Sequence, residues 1–186
     1  MPHSIHTLPG RRIVVVGTSG AGKSYVAQQL ATRLGVPYVC NDAIIHRENW
    51  RPNPPAQRYI EFEAATRGDG WTYDGNIGGL HSPEDKLILQ RADTLVWIDL
   101  PRFEVMRQLL WRTILRSWTR EKLWHGNRES WRLSFASRDS ILLWSWQTYD
   151  LRRRQYRRIF ADPQWSHLRR IRFDSRTAVN RWLGNL

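Results

Sequence analysis

Cysteine is nearly absent from this chain: Cys40 stands alone among 186 residues. No internal disulfide can form, and a reducing, cytoplasmic setting is the expectation. Long apolar runs are missing as well. With no stretch of about 18 apolar residues, no membrane span is expected. The six histidines are scattered without the spacing of a metal cage. There is no internal repeat and no low-complexity tract, and residues 1–10, which hold no apolar signal region, read as a flexible lead-in to a single domain over 11–186.

Acidic charge is scarce in one half only. Residues 1–100 hold ten Lys/Arg and ten Asp/Glu, whereas residues 101–186 hold nineteen and seven. The whole net charge of +12 therefore lies in the second half, where every basic residue except Lys122 is an arginine. Eight of the eleven tryptophans lie there too. Arginine forks pair with phosphate oxygens and stack on flat rings. Such a half suits either a lid that closes on a polyphosphate or a surface that grips nucleic acid.

What is present is most specific at Gly17-Thr18-Ser19-Gly20-Ala21-Gly22-Lys23-Ser24. This is G-x-x-x-x-G-K-[ST], a phosphate-binding loop. Its context agrees: Ile13 to Val16 is a β-branched run that reads as a buried strand, and Val26, Leu30 and Leu34 follow at helical spacing. The glycines let main-chain N–H groups close on phosphate oxygens, and the helix N-terminus adds its own donors. Lys23 is expected to reach the β- and γ-phosphates of ATP, and the Ser24 hydroxyl to ligate Mg²⁺.

Further strands are expected at 37–40, 71–74, 94–98 and 168–173, with helices near 56–67, 82–91, 102–118, 137–160 and 176–183. Alternation of this kind implies an α/β fold whose parallel sheet is covered on both faces. Ligands in such folds sit at the carboxyl ends of the strands, where Asp42, Asp74 and Asp99 lie. Asp74, followed by Gly75, is the first choice for a carboxylate near the metal; a turn-forming Asp-Gly is the alternative. Asp99 either shares the metal or caps the next helix. Asp42 either meets a substrate hydroxyl or base, or closes an Asx turn. Trp50, near Asp42, offers a stacking surface for a substrate ring.

With these pieces in place the chain resembles the adenylate-kinase-like small P-loop kinases. Asp74-Gly75 after a strand, Ile98-Asp99-Leu100-Pro101, and the downstream arginines Arg107, Arg112 and Arg116 carry the likeness. Trp71 to Asn76, Ala92-Asp93-Thr94 and Leu123 to Glu129 look closer to a bacterial subgroup called DNA topology modulation (FlaR-like) proteins, or simply adenylate kinases. The resemblance covers residues 11 to 160. It implies the P-loop NTPase fold, a five-stranded sheet in the order 2-3-1-4-5, an arginine-rich helical lid at about 112–135, and phosphoryl transfer from ATP.

The departures matter. Asp74-Gly75-Asn76-Ile77-Gly78 stands where adenylate kinases carry an arginine for the acceptor phosphate. AMP is therefore in doubt, and Arg47, Arg51 or Arg58 would have to hold any acceptor phosphate.

The expected catalytic set is Lys23, Asp74, Arg112, Arg116 and Arg128, with Arg120 on the same helix face as Arg112 and Arg116. Ser24, Asp74 and Asp99 are the metal candidates. Asp42, Trp50, Arg58 and Asn76 face the acceptor, a nucleoside or nucleotide first and a small polyol next. Arg152, Arg153, Arg154, Arg157 and Arg158 cover several faces of one helix and read as a solvated surface or a docking site. The rival reading is an ATP-dependent nucleic-acid-associated factor using this basic half.

Overall fold

A computed structural model describes residues 9–77, 82–119, 122–127 and 141–186. Strand β1 (Arg12–Gly17) is the centre of a five-stranded parallel sheet ordered β2-β3-β1-β4-β5. Its neighbours are β3 (Trp71–Asp74) and β4 (Thr94–Ile98), with β2 (Tyr38–Cys40) and β5 (Arg169–Phe173) at the edges. The order is the expected one. All strands run the same way, so their carboxyl ends open on one side, above Gly17, Cys40, Asp74 and Ile98.

The alternation along β1 explains the two cores. Ile13 and Val15 point to one face, and Val14 and Val16 to the other, all essentially inaccessible. The first face packs on α1 (Lys23–Leu34) through Val26 and Leu30, and on α7 (Arg176–Gly184) through Val179 and Trp182. The second meets Phe62 of α3 (Pro55–Ala65), Ile88 and Leu89 of α4 (Pro83–Arg91), and Tyr156 and Ile159 of α6 (Ile141–Ala161). Helix α5 (Arg102–Thr119) lies over the carboxyl ends, with Val105 and Leu109 buried.

Local signals account for the boundaries. Ser82 caps α4 by accepting the Asp85 N–H at 3.1 Å, with Pro83 next in line. Gly35 ends α1 in the left-handed conformation. Asp93 accepts the N–H groups of Arg11 and Arg12 at 3.0 and 2.9 Å, which clips the start of β1 beside β4.

The sequence reading places no helix between β2 and Pro54. The chain there forms α2 (Asn41–Ile45) and a 3-10 turn at Glu48–Trp50. Five residues are too few to show helical periodicity. No helix among the described residues is long and apolar enough to cross a membrane.

Candidate active site

The Gly17–Ser24 loop sits between β1 and α1, pressed on its neighbours from both sides. A Cβ on Gly17 would lie 2.7 Å from the Ile98 carbonyl, and one on Gly20 2.8 Å from both the Val105 carbonyl and Leu109 Cβ. Gly20 and Gly22 also have φ of 88° and 93°, which a side chain resists. Three consecutive loop carbonyls accept hydrogen bonds, those of Gly17 and Ser19 from α6 and that of Thr18 from within the loop. Tyr156 Oη donates to Gly17 O at 3.3 Å, Ala21 N and Lys23 Nζ donate to Thr18 O at 3.1 and 3.2 Å, and Ser145 Oγ donates to Ser19 O at 3.0 Å. Peptide units whose oxygens are held that way turn their N–H groups toward the opposite side, the side a polyphosphate needs.

Charge converges at the loop's mouth. Asp74 is buried at the end of β3, near enough to the hydroxyls of Ser24 and Tyr38 for both to act on its carboxylate. Burial raises its pKa, and the Asp42 charge adds to the rise; Ser24, Lys23 and Tyr38 act against it. Packing around the Lys23 ammonium lowers its pKa to about 8, with Arg112 and Arg152 adding and Asp74 and Asp42 opposing. Burial beside Asp74 likewise pushes the Cys40 thiol up to about 11.

A buried carboxylate with a serine hydroxyl nearby offers hard oxygens of the kind Mg²⁺ takes alongside phosphate oxygens, so the donors present fit that ion. Among the described residues no group of three His, Cys, Asp or Glu gathers as a metal cage.

Asp42 lies in the first turn of α2, exposed, and close enough to act electrostatically on both Lys23 and Asp74. Asn41 donates to its carboxylate at 3.2 Å and is itself held by Tyr73 Oη at 2.8 Å. Asn76 Oδ1 lies 3.3 Å from Tyr156 Oη, so one buried hydroxyl touches both the P-loop and the acceptor side. Trp50 packs edge-on against His46 with ring centroids 5.4 Å apart. Arg58 is ion-paired with Glu84 at 3.0 Å, and Arg47 is paired with Glu61.

Asp99 is engaged by two arginines that the sequence reading does not place beside it. Its carboxylate is nearly inaccessible and is taken by two guanidiniums. Arg153 donates from Nε and Nη2 at 2.6 and 3.1 Å, and Arg172 donates from Nε at 3.0 Å and also from Nη2. Those contacts engage both oxygens, so Asp99 acts as the counter-ion that fastens α6 and β5 to β4.

Arg112, on α5, borders a cleft of about 370 Å³ with Gly20, Gly22, Arg107, Gln108, Trp111 and Arg176. Arg116 follows one turn later, outside that lining. Arg120 and Arg128 lie outside the described residues, as does Gly78.

Sequence reasoning missed Arg152 as a site residue. Ser145, Tyr149, Arg152 and Tyr156 form one face of α6. Ser145 and Tyr156 grip the loop, Tyr149 Oη donates to Leu100 O at 2.8 Å, and Arg152 acts on Lys23. The cluster thus divides. Arg152 and Arg153 turn inward, while Arg154, Arg157 and Arg158 are exposed. The signal was available in the spacing of Ser145, Tyr149 and Tyr156, three polar-tipped residues on one helical stripe.

No known protein family matches the sequence, and no curated protein does. Solved structures do match. Shikimate kinase from Acinetobacter baumannii, in complex with shikimate, is 19% identical, with 97% of this chain and 92% of that one covered at a TM-score of 0.53. A gluconokinase from Sinorhizobium meliloti 1021 is 20% identical, with 95% and 91% covered at 0.51. Shikimate kinase from Bacteroides thetaiotaomicron is 13% identical, with 94% of each chain covered at 0.53. Together with the sheet order, these likenesses show that the chain has the P-loop NTPase fold.

Proposed function

We propose that this protein is a Mg·ATP-dependent phosphotransferase that moves the γ-phosphoryl group to a hydroxyl of a small acceptor. The observation that carries the reading is the P-loop whose Gly17 and Ser19 carbonyls are held by α6, with Lys23, Ser24 and Asp74 gathered at its mouth. The loop N–H groups and Lys23 bind the β- and γ-phosphates. Ser24 and Asp74 would hold Mg²⁺, which would supply neutralisation of phosphate charge.

The acceptor oxygen forms a bond to the γ-phosphorus as the bond to the β–γ bridging oxygen breaks. ADP leaves, and Asp42 takes the hydroxyl proton. Arg112 and Arg152 neutralise the moving phosphoryl group, and Arg116 and Arg128 complete that role from the lid side. Arg152 joins the set because it lies on the α6 face that carries Ser145 and Tyr156 to the loop, near enough for its charge to act on Lys23.

The acceptor is a hydroxyl compound without a phosphate of its own, a nucleoside first and a polyol or hydroxy acid next. Arg47 and Arg58, two of the three arginines available on that side, are already neutralised by Glu61 and Glu84. The sequence resemblance to the adenylate-kinase-like small kinases supports a nucleoside. The shikimate kinase and gluconokinase folds support the other acceptors.

The test is ADP release from Mg·ATP with nucleosides, nucleoside monophosphates, gluconate, shikimate and short DNA, with Lys23→Ala as control. One small acceptor should raise turnover at least about tenfold, a barrier change of about 1.4 kcal/mol. Stimulation by DNA alone, or equal rates in the Lys23→Ala variant, refutes the reading.

A further inference from the structure

Two short turns far apart in sequence are fastened together beside the acceptor side. The first spans residues 45–53. Arg47 N donates to Arg51 O at 2.7 Å, Asn53 N donates to Ile45 O at 2.9 Å, and His46 bridges to Pro52. At its tip Asn49 and Trp50 both have left-handed backbones, with φ of 58° and 56°. Neither is glycine, and a bulky tryptophan there is strained. The second turn, residues 123–127, follows α5. Leu123 N donates to Asn127 O at 2.7 Å, and His125 is left-handed as well, with φ of 54°.

One side chain joins the two. Asn127 is 5% exposed, and each end of its amide is used. Its Oδ1 accepts the Trp50 N–H at 3.1 Å, and its Nδ2 donates to the Arg47 carbonyl at 2.9 Å. These two groups flank the strained residue Asn49. His125 makes a second attachment from the same turn, donating from Nε2 to the Ala43 carbonyl at 2.8 Å, next to Asp42. A strained conformation persists only where its surroundings over-determine it. Here the surroundings include one asparagine whose amide meets a main-chain group on each side of Asn49.

We propose that Asn127 is a positioning residue for acceptor binding: it clamps the 47–50 turn through its main chain and so sets Trp50 relative to Asp42. This rests on the phosphotransferase reading for what the turn holds, but the clamp itself does not. Without the amide, the tip of the turn relaxes toward unstrained dihedrals and Trp50 leaves its place. The P-loop, which neither turn touches through these bonds, is unaffected. Asn127→Asp keeps an acceptor for the Trp50 N–H but sets a carboxylate oxygen against the Arg47 carbonyl. It should fall between the wild type and Asn127→Ala.

Amide hydrogen exchange on the full chain, without ligand, tests the clamp. In Asn127→Ala the Trp50 amide should exchange at least about fivefold faster, the scale of one lost hydrogen bond, with peptides of β1 and α1 unchanged. Affinity for Mg·AMP-PNP should stay within about twofold, since the phosphate loop keeps its contacts. With the acceptor found by the panel above, KM for that acceptor should rise while KM for ATP holds. His125→Ala, which removes only the Ala43 attachment, serves should Asn127→Ala fail to fold; it should loosen residues 42–47 selectively.

Unchanged exchange at Trp50 overturns the proposal, as does acceleration spread evenly over the sheet. An acceptor KM equal to that of the wild type also overturns it. A wild-type protein that turns over no acceptor, yet shows the selective exchange, refutes the phosphotransferase reading and leaves the clamp standing.

Discussion

Replacing Asp99 and Asp74 in turn by asparagine separates two acids that a sequence reader would place in the same role. Asp99 receives four hydrogen bonds from two guanidiniums, and its carboxylate is 3% exposed. Asparagine keeps the shape, one acceptor oxygen and no charge, leaving Arg153 and Arg172 to repel each other around an amide. Removing one partner of a buried pair costs about 3–5 kcal/mol. Here the guanidiniums are about one-third exposed, at 33% and 36%, so water takes up part of the loss. A figure of about 2–3 kcal/mol is the expectation for Asp99→Asn.

In a domain of this size that lowers Tm by roughly 4–10 °C, readable by differential scanning fluorimetry and by urea unfolding at constant slope. The extra stabilisation on adding Mg·ATP should remain. Asp74→Asn should do the reverse. Its carboxylate has a raised pKa because it is buried, so its ionised form opposes folding at neutral pH in the empty protein. Removing that charge should leave Tm equal or higher while the Mg²⁺-dependent part of the ATP stabilisation disappears. The argument is refuted if Asp99→Asn melts like the wild type and loses its Mg²⁺ response, because the two guanidiniums would then be bystanders to a metal ligand.

Lys23 supplies a pH test. Its folded pKa, about 8, lies below the unfolded value of 10.5. The unfolded chain therefore binds more protons between those pH values, and the Lys23 contribution to stability of the empty protein rises with pH across that window. Polyphosphate favours the charged ammonium, so at pH 8 binding of Mg·ATP should take up as much as about half a proton; calorimetry in buffers of different ionisation enthalpy reads this, and no difference from Lys23→Ala would refute it. Tyr156→Phe removes the hydroxyl shared by Gly17 O and Asn76 Oδ1. It should cost about 1–2 kcal/mol by chemical unfolding and weaken both ATP and acceptor binding. Gly20→Ala places a Cβ 2.8 Å from the Val105 carbonyl at φ 88°, and should abolish nucleotide stabilisation and destabilise the fold by at least about 2 kcal/mol.

The fold was readable because its signals are local. A β-branched run before a glycine loop, Ser82-Pro83 before a helix, and Asp-Gly after a strand each report on a few adjacent residues. The sheet order follows once the P-loop is placed. The site was less readable because its partners are remote in sequence. Nothing adjacent to Asp99 reveals that Arg153 and Arg172 will meet it from two other elements. Nothing near Trp50 announces Asn127, 77 residues away. Arg152 was obscured by its company: in a run of arginines the type says nothing about direction, and only the positions of Ser145, Tyr149 and Tyr156 show which face of α6 looks inward.

That face explains why the excess of arginine in the second half does not translate simply into a polyanion-binding surface. Arg102 is tied to Asp150, Arg153 and Arg172 to Asp99, and Arg170 to the carbonyls of Phe160 and Asp162. Four arginines thus act as staples between helices and strands, where their several donors serve carbonyls and a shared carboxylate at once. The same helix that Arg153 anchors delivers Ser145 and Tyr156 to the P-loop carbonyls and Arg152 to the neighbourhood of Lys23. Anchoring α6 at Asp99 is therefore a condition for the loop to present its N–H groups outward. A loss at Asp99 should reach nucleotide binding only as far as α6 shifts, in proportion to lost stability and not to lost metal.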